Sequence, residues 1–103
     1  MSVAGLPITI DREKVAAFCR SRGIRKLSLF GSVLRGDFDP ARSDVDVLAE
    51  FAPGALDGVG LRYFGYGDEL SAILGHKVDF CSKLNKYIAD TVRREAVTLY
   101  EQA

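Results

Sequence analysis

Asp44 and Asp46 sit one residue apart in a strand-like run, Asp44-Val45-Asp46-Val47-Leu48, twelve and fourteen positions after the serine of a Gly31-Ser32 pair. Side chains alternate between the two sides of a strand, so the aspartates face one way and Val45 and Val47 the other, toward a core. This pattern constrains the fold to a sheet with one buried face and one acidic face. At roughly 3.3 Å of rise per residue, the two aspartate Cα atoms lie about 6.5–7 Å apart. Like charges that close raise each other's pKa, and a divalent cation removes the repulsion by taking both carboxylates as ligands. Metal-assisted phosphate chemistry is therefore the leading reading of this segment.

The rest of the chain supplies the elements around that strand. Residues 11–22 read as a helix with Val15, Ala16, Phe18 and Cys19 on one face, Thr9 or Asp11 as its cap and Gly23 as its stop. Residues 25–30 alternate as a first strand, and residues 31–42 form a loop with a helical turn at its start, punctuated by Gly36 and Pro40. Residues 45–51 are the second strand and residues 52–60 a glycine-rich loop. Residues 61–74 are a helix weakened by Gly65 and Gly67 and ended by Gly75. Residues 77–81 form a third strand. Residues 84–100 read as one long helix, with Leu84, Tyr87, Ile88, Thr91, Val92, Ala96 and Leu99 as its stripe. The order helix, strand, strand, helix, strand, helix predicts an α/β (α+β) domain, a small mixed β-sheet flanked by helices, with residues 1–103 forming one domain.

Bulk properties narrow the function classes. The 103 residues carry no net charge, but the charges are segregated: residues 1–42 hold eight basic and four acidic groups (+4), residues 43–79 two and seven (−5), and residues 80–103 four and three (+1). An acidic middle behind a basic front does not fit a general nucleic-acid binder, and no direct nucleic-acid contact is expected. It suits a site that holds cations with anions beside them. No apolar run is long enough for a membrane span, and residues 1–10 lack the features of a signal peptide, so a cytoplasmic protein is expected. Cys19 and Cys81 read as small buried apolar side chains rather than a disulfide, and one histidine, His76, without Cys/His spacing gives no zinc site. His76 reads as a capping or surface group.

Asp79, between Val78 and Phe80, completes an acidic triad if the third strand pairs beside the second. Gly31 permits close backbone approach, and exposed amides with the Ser32 hydroxyl suit phosphate oxygens. Arg35 and Arg42 are available to a triphosphate. A Walker-type loop is absent, which excludes a P-loop NTPase. Each part has a bland counterpart: Asp-x-Asp on a solvated edge, Gly-Ser as a simple turn, Asp79 as a surface acid, Arg35 as an ion-pair partner of Asp37 or Asp39. The joint pattern is far more specific than its parts. Tyr63, Phe64 and Tyr66 around Gly65 either form an interface patch or place Phe64 and one tyrosine in the core.

Gly31-Ser32, eleven intervening residues and Asp44-Val45-Asp46 resemble the signature of the nucleotidyltransferase superfamily that includes polymerase β and kanamycin nucleotidyltransferase. The third acid in Lys77-Val78-Asp79-Phe80, the Leu34-Arg35-Gly36-Asp37 stretch, Ser43 before the first aspartate and the run from Arg93 to Tyr100 resemble the minimal nucleotidyltransferases. The resemblance covers roughly residues 15–100. It implies the nucleotidyltransferase fold, with ATP as substrate. Gly31 and Ser32 would hold the triphosphate, with Arg35 and Ser43 as further nucleotide contacts. Asp44, Asp46 and Asp79 would ligate one or two Mg²⁺, and Asp79 would help deprotonate the acceptor hydroxyl. Minimal members are often antitoxins that transfer AMP to a tyrosine of a HEPN-domain ribonuclease toxin, which would make such a toxin the partner.

The short chain leaves no residues for a separate acceptor-gripping domain, so the acceptor is expected to be positioned by a partner protein or a second copy of this chain. Three functions follow: a magnesium-dependent protein adenylyltransferase acting as antitoxin, an antitoxin that works by binding alone, or a dimeric nucleotidyltransferase for a small molecule. The intact triad favours the first.

Overall fold

The computed structural model describes residues 8, 10–34, 39, 42–83 and 86–102, and for Lys86 and Ile88 the backbone alone. The first helix, α1 (Arg12–Arg22), forms where both of its ends are specified. Asp11 accepts a hydrogen bond from the Lys14 amide (3.1 Å), satisfying one of the donors a helix start leaves open. Gly23 turns the chain at φ 71° and its N–H donates to the Cys19 carbonyl. Thr9, the other cap considered, lies outside the described residues.

Strand β1 (Ile24–Phe30) pairs antiparallel with β2 (Val45–Phe51), and one 3₁₀ turn, Gly31–Leu34, leaves the end of β1. A second 3₁₀ segment, Gly60–Gly65, leads into α2 (Tyr66–Leu74), followed by β3 (Val78–Cys81), α3 (Lys86–Glu95) and β4 (Val97–Glu101). The sheet runs β3-β2-β1-β4; β2 and β3 are parallel and the other pairs antiparallel. This is the mixed sheet with helices that the pattern predicts.

Leu27 and Leu29 of β1 and Val45, Val47 and Ala49 of β2 form one core with Val15 and Phe18 of α1 and Leu70 and Leu74 of α2. Each such side chain fully buried contributes about 1.5–3 kcal/mol. Phe51, Tyr63, Tyr66 and Phe80 extend the core as an aromatic cluster with ring centroids 5.9–6.4 Å apart. The opposite face of the sheet is more polar. There Lys26, Ser28, Leu48, Glu50 and Thr98 line a cavity of about 170 Å³ with Arg93 and Ala96 from the end of α3 and the residue after it.

Two expectations are corrected. Residues 84–100 are not one helix: α3 ends at Glu95, and Val97–Glu101 is a strand on the outer side of β1. Val97 and Leu99 are buried while Thr98 and Tyr100 are half-buried, a period of two that a helical count from Val92 and Ala96 to Leu99 concealed. Pairing along β1 satisfies backbone groups that a longer helix would leave at a sheet edge. The stripe is narrower too. Tyr87 (82% exposed) and Thr91 lie outward, and the side chains of Leu84 and Ile88 lie outside the description.

Residues 61–74 likewise divide at Gly65, the weak helix former anticipated there, into the 3₁₀ segment and α2. In that region Tyr66 is a core residue and Tyr63 is half-buried, its hydroxyl 2.6 Å from Ser82 Oγ. Phe64 is not in the core: it projects into solvent with Leu61, three residues earlier and in line with it on a 3₁₀ coil.

Candidate active site

The site is assembled where β1 ends and β2 begins. Phe30, the last residue of β1, is the cross-strand partner of Asp46, so the chain must turn immediately beside that carboxylate. Gly31 makes the turn at φ 79°, in the left-handed region that other residues reach only with strain. A Cβ at this position would collide with Asp46 Oδ2 and lie 3.1 Å from its Cγ. Glycine is thus required twice, by backbone angle and by the approach of the acid. Val33, 2% exposed, anchors the turn to the core and leaves Ser32 half-exposed.

Asp44 directly precedes β2 and Asp46 is the second residue in it. In the parallel pairing of β2 with β3, Asp46 stands opposite Asp79, Val45 opposite Val78 and Val47 opposite Phe80. Register partners share a face, and adjacent strands lie roughly 4.8 Å apart. Val45 and Val47 are buried in the core, with Val78 and Phe80 packed against it. Asp46 and Asp79 therefore project together from the opposite face. Asp44 has the same parity, and the Val45 amide between the two aspartates is held by a hydrogen bond to the Lys77 carbonyl (2.8 Å).

Cys81 belongs to this face and was missed from the sequence, where it read as a buried apolar group. It lies two residues beyond Asp79 and opposite Leu48, and its Sγ is 4.0 Å from Asp79 Oδ1. Burial pushes its thiol pKa up, and the charges of Asp79 and then Asp46 push it further. The i, i+2 spacing from Asp79 was the available signal.

The loop before β2 has its own order. The Asp39 amide donates to Ser43 Oγ (3.0 Å) and the Ser43 amide to the Asp39 carbonyl (2.7 Å), so the Ser43 hydroxyl closes the turn that delivers Asp44. Arg42 is exposed and pairs with Asp39 at 3.7 Å. Arg35, with Gly36 and Pro40, lies outside the described residues. A larger cavity of about 700 Å³ lies beside Gly23, Ala55, Arg62 and Glu69, at the other end of the strands from the aspartates.

Among the described residues no three acidic, histidine or cysteine side chains already close on one point as a ligand set. The donor chemistry nevertheless suits magnesium: carboxylate oxygens only, on one face, with Asp79 exposed and room left for water and phosphate oxygens.

The matches to known proteins agree with this geometry. A family model described as a nucleotidyltransferase domain matches residues 12–100. The protein adenylyltransferase MntA of Thermococcus cleftensis is 39% identical over 79 residues, spanning 73% of this chain and 74% of that protein. A solved structure described as a minimal nucleotidyltransferase superposes with a TM-score of 0.65 at 32% identity, over 84% of this chain and 86% of its own. A toxin–antitoxin structure with AMP-PNP superposes with a TM-score of 0.68 over 90% of this chain and 75% of that one; at 20% identity it speaks for the fold alone. The chain belongs to the nucleotidyltransferase family, as an enzyme of its minimal, MntA-like kind.

Proposed function

We propose that this enzyme is a magnesium-dependent protein adenylyltransferase, the antitoxin partner of a HEPN-domain ribonuclease toxin, and that it transfers AMP from ATP to a toxin tyrosine. The observation that carries the reading is the register that puts Asp79 opposite Asp46, with Gly31 against the Asp46 carboxylate. The 39% identity to a protein adenylyltransferase supports a protein as acceptor, and the fold neighbour solved as a toxin–antitoxin assembly is in keeping with it. Dependence on ATP puts the reaction in the cytoplasm; among the described residues no helix is long and apolar enough to cross a membrane.

Asp44, Asp46 and Asp79 would hold Mg²⁺, which when bound neutralises the triphosphate and polarises the α-phosphorus. The amides of the Gly31-Ser32 turn and the Ser32 hydroxyl would orient the phosphates. The tyrosine oxygen attacks the α-phosphorus and forms the new P–O bond. The bond from that phosphorus to the bridging oxygen breaks, and pyrophosphate leaves. The phenolic proton passes to the Asp79 carboxylate, whose exposure lets it return the proton to solvent.

The test is incubation with Mg²⁺, radiolabelled ATP and the candidate toxin. Label on a toxin tyrosine, lost in Asp44→Asn/Asp46→Asn, is the expected result. Toxin neutralisation that survives this double substitution would assign the antitoxin effect to binding alone. Label on an added aminoglycoside, with none on protein, would assign a small-molecule acceptor.

A further inference from the structure

Asp79 sits on the least supported strand of the sheet. β3 has four residues, none of them fully buried, and among the described residues it pairs only with β2. Besides the four-pair ladder to β2, one peptide unit at its start, the one joining Lys77 to Val78, is held from both sides. Its carbonyl accepts from the Val45 amide at 2.8 Å, between Asp44 and Asp46. Its N–H points away from β2 and donates to Ser71 Oγ on α2 at 3.0 Å. The same hydroxyl donates to the Gly67 carbonyl one helical turn back, at 2.7 Å, so its donor is committed as well. Gly67 lets the helix come this close. A Cβ there would lie 3.3 Å from Phe80 Cβ and 3.9 Å from the Val78 carbonyl oxygen.

We propose that Ser71 is a positioning residue for nucleotidyl transfer, because it holds the outer side of the peptide unit that leads into Asp79, the residue opposite Asp46. It touches no substrate. It acts by clamping the amide next to Asp79 while β2 clamps the carbonyl of the same unit, so the third carboxylate is oriented from both sides. Other side chains of α2 serve the core (Leu70, Leu74) or pair outward (Glu69 with Arg22); Ser71 alone in the described part of this helix is shown bonded to the strand. The inference rests on the proposed role of Asp79 in the reaction.

Removing the hydroxyl leaves the Val78 N–H to find water on an edge strand and frees the Lys77–Val78 peptide to tilt. A shift on the order of 1 Å in a catalytic group costs up to about a hundredfold in rate. Ser71→Ala is expected to lower the single-turnover rate of AMP transfer to the toxin at least about tenfold, with KM for ATP unchanged. Ser71→Thr, which keeps the oxygen, should recover most of the rate. The comparison is made well below the unfolding temperature, with the folded fraction of each variant measured by circular dichroism.

A Ser71→Ala rate within twofold of the parent, or a loss no larger than the loss of folded protein, overturns the proposal. Asp79→Asn is run alongside. Full activity in that variant would instead overturn the role given to Asp79, and the two failures are thereby distinguished. Amide exchange in the unsubstituted protein is an independent check: the Val78 N–H should be protected in the native state, and exchange at the rate of an unstructured amide also overturns the clamp.

Discussion

Replacing Gly31 with alanine tests whether the tip of β1 and the Asp46 carboxylate are built as one unit. Two costs are expected. Holding a residue with a Cβ in the left-handed region, here φ 79°, costs about 1–2 kcal/mol. The new methyl also collides with Asp46 Oδ2, and rotating that side chain off its preferred angle costs about 0.5–1.5 kcal/mol more. The sum, about 1.5–3.5 kcal/mol, corresponds to a fall in Tm of roughly 6–28 °C for a domain of about this size. Gly58→Ala is the matched control. Its φ is 74°, but nothing lies within 4 Å of the added methyl, so it bears the backbone cost alone. In an Asp46→Ala background the carboxylate is gone and only Cβ remains, 3.4 Å from the new methyl, an ordinary contact. Urea unfolding of the four proteins in the Gly31/Asp46 cycle should therefore give a coupling of about 1 kcal/mol. If Gly31→Ala is no worse than Gly58→Ala and the cycle shows no coupling, the acid does not rest against the turn and the account of the site's assembly is wrong.

Other consequences are simpler to check. Cys19 is fully buried and its thiol is pushed up to about 12, so iodoacetamide at pH 8 should modify Cys81 in the native protein and leave Cys19 intact; peptide mass mapping reads this out. A thiol raised from 9.0 in the unfolded chain to about 12 in the fold stabilises the native state fully below pH 9, and that contribution is lost as pH rises toward 12. Cys19→Ala should flatten the fall in denaturation midpoint over that window. Leu29→Ala, at a fully buried core position, should cost about 2–5 kcal/mol in urea unfolding, whereas Phe64→Ser, 75% exposed, should change stability by less than about 0.5 kcal/mol. Breaking the Arg22–Glu69 pair with Glu69→Gln should cost no more than about 1 kcal/mol, and added salt should shrink the difference, because both side chains reach solvent.

Much of the fold was legible because local chemistry agreed with the final packing. Asp11 and Gly23 mark the ends of α1, and the alternation of Val45, Val47 and their acidic neighbours gives β2 its limits and its faces. Residues 97–100 were misread because Val92, Ala96 and Leu99 satisfy a helical count, while Val97-Thr98-Leu99-Tyr100 satisfies a strand count just as well. The free side of β1 decides between them, and that is a tertiary fact. In the site, the parity of Asp44, Asp46 and Asp79 was readable from the chain. Which strand lies beside which was not, since a parallel pair joined through the 3₁₀ segment and α2 leaves no short-range signal. Ser71 gave no signal either: its hydroxyl matters only because Gly67 brings the helix against β3.

The position of β4 bears on how the enzyme comes into being during synthesis. All three aspartates are synthesised before β4, and β1 and β2 can pair with each other without it. The flank of β1 has to wait for residues 97–101, whose partners Lys26 to Leu29 lie some seventy positions upstream. A nascent chain therefore carries its chemistry before it can keep its shape, and β4 is the latch that ends that interval.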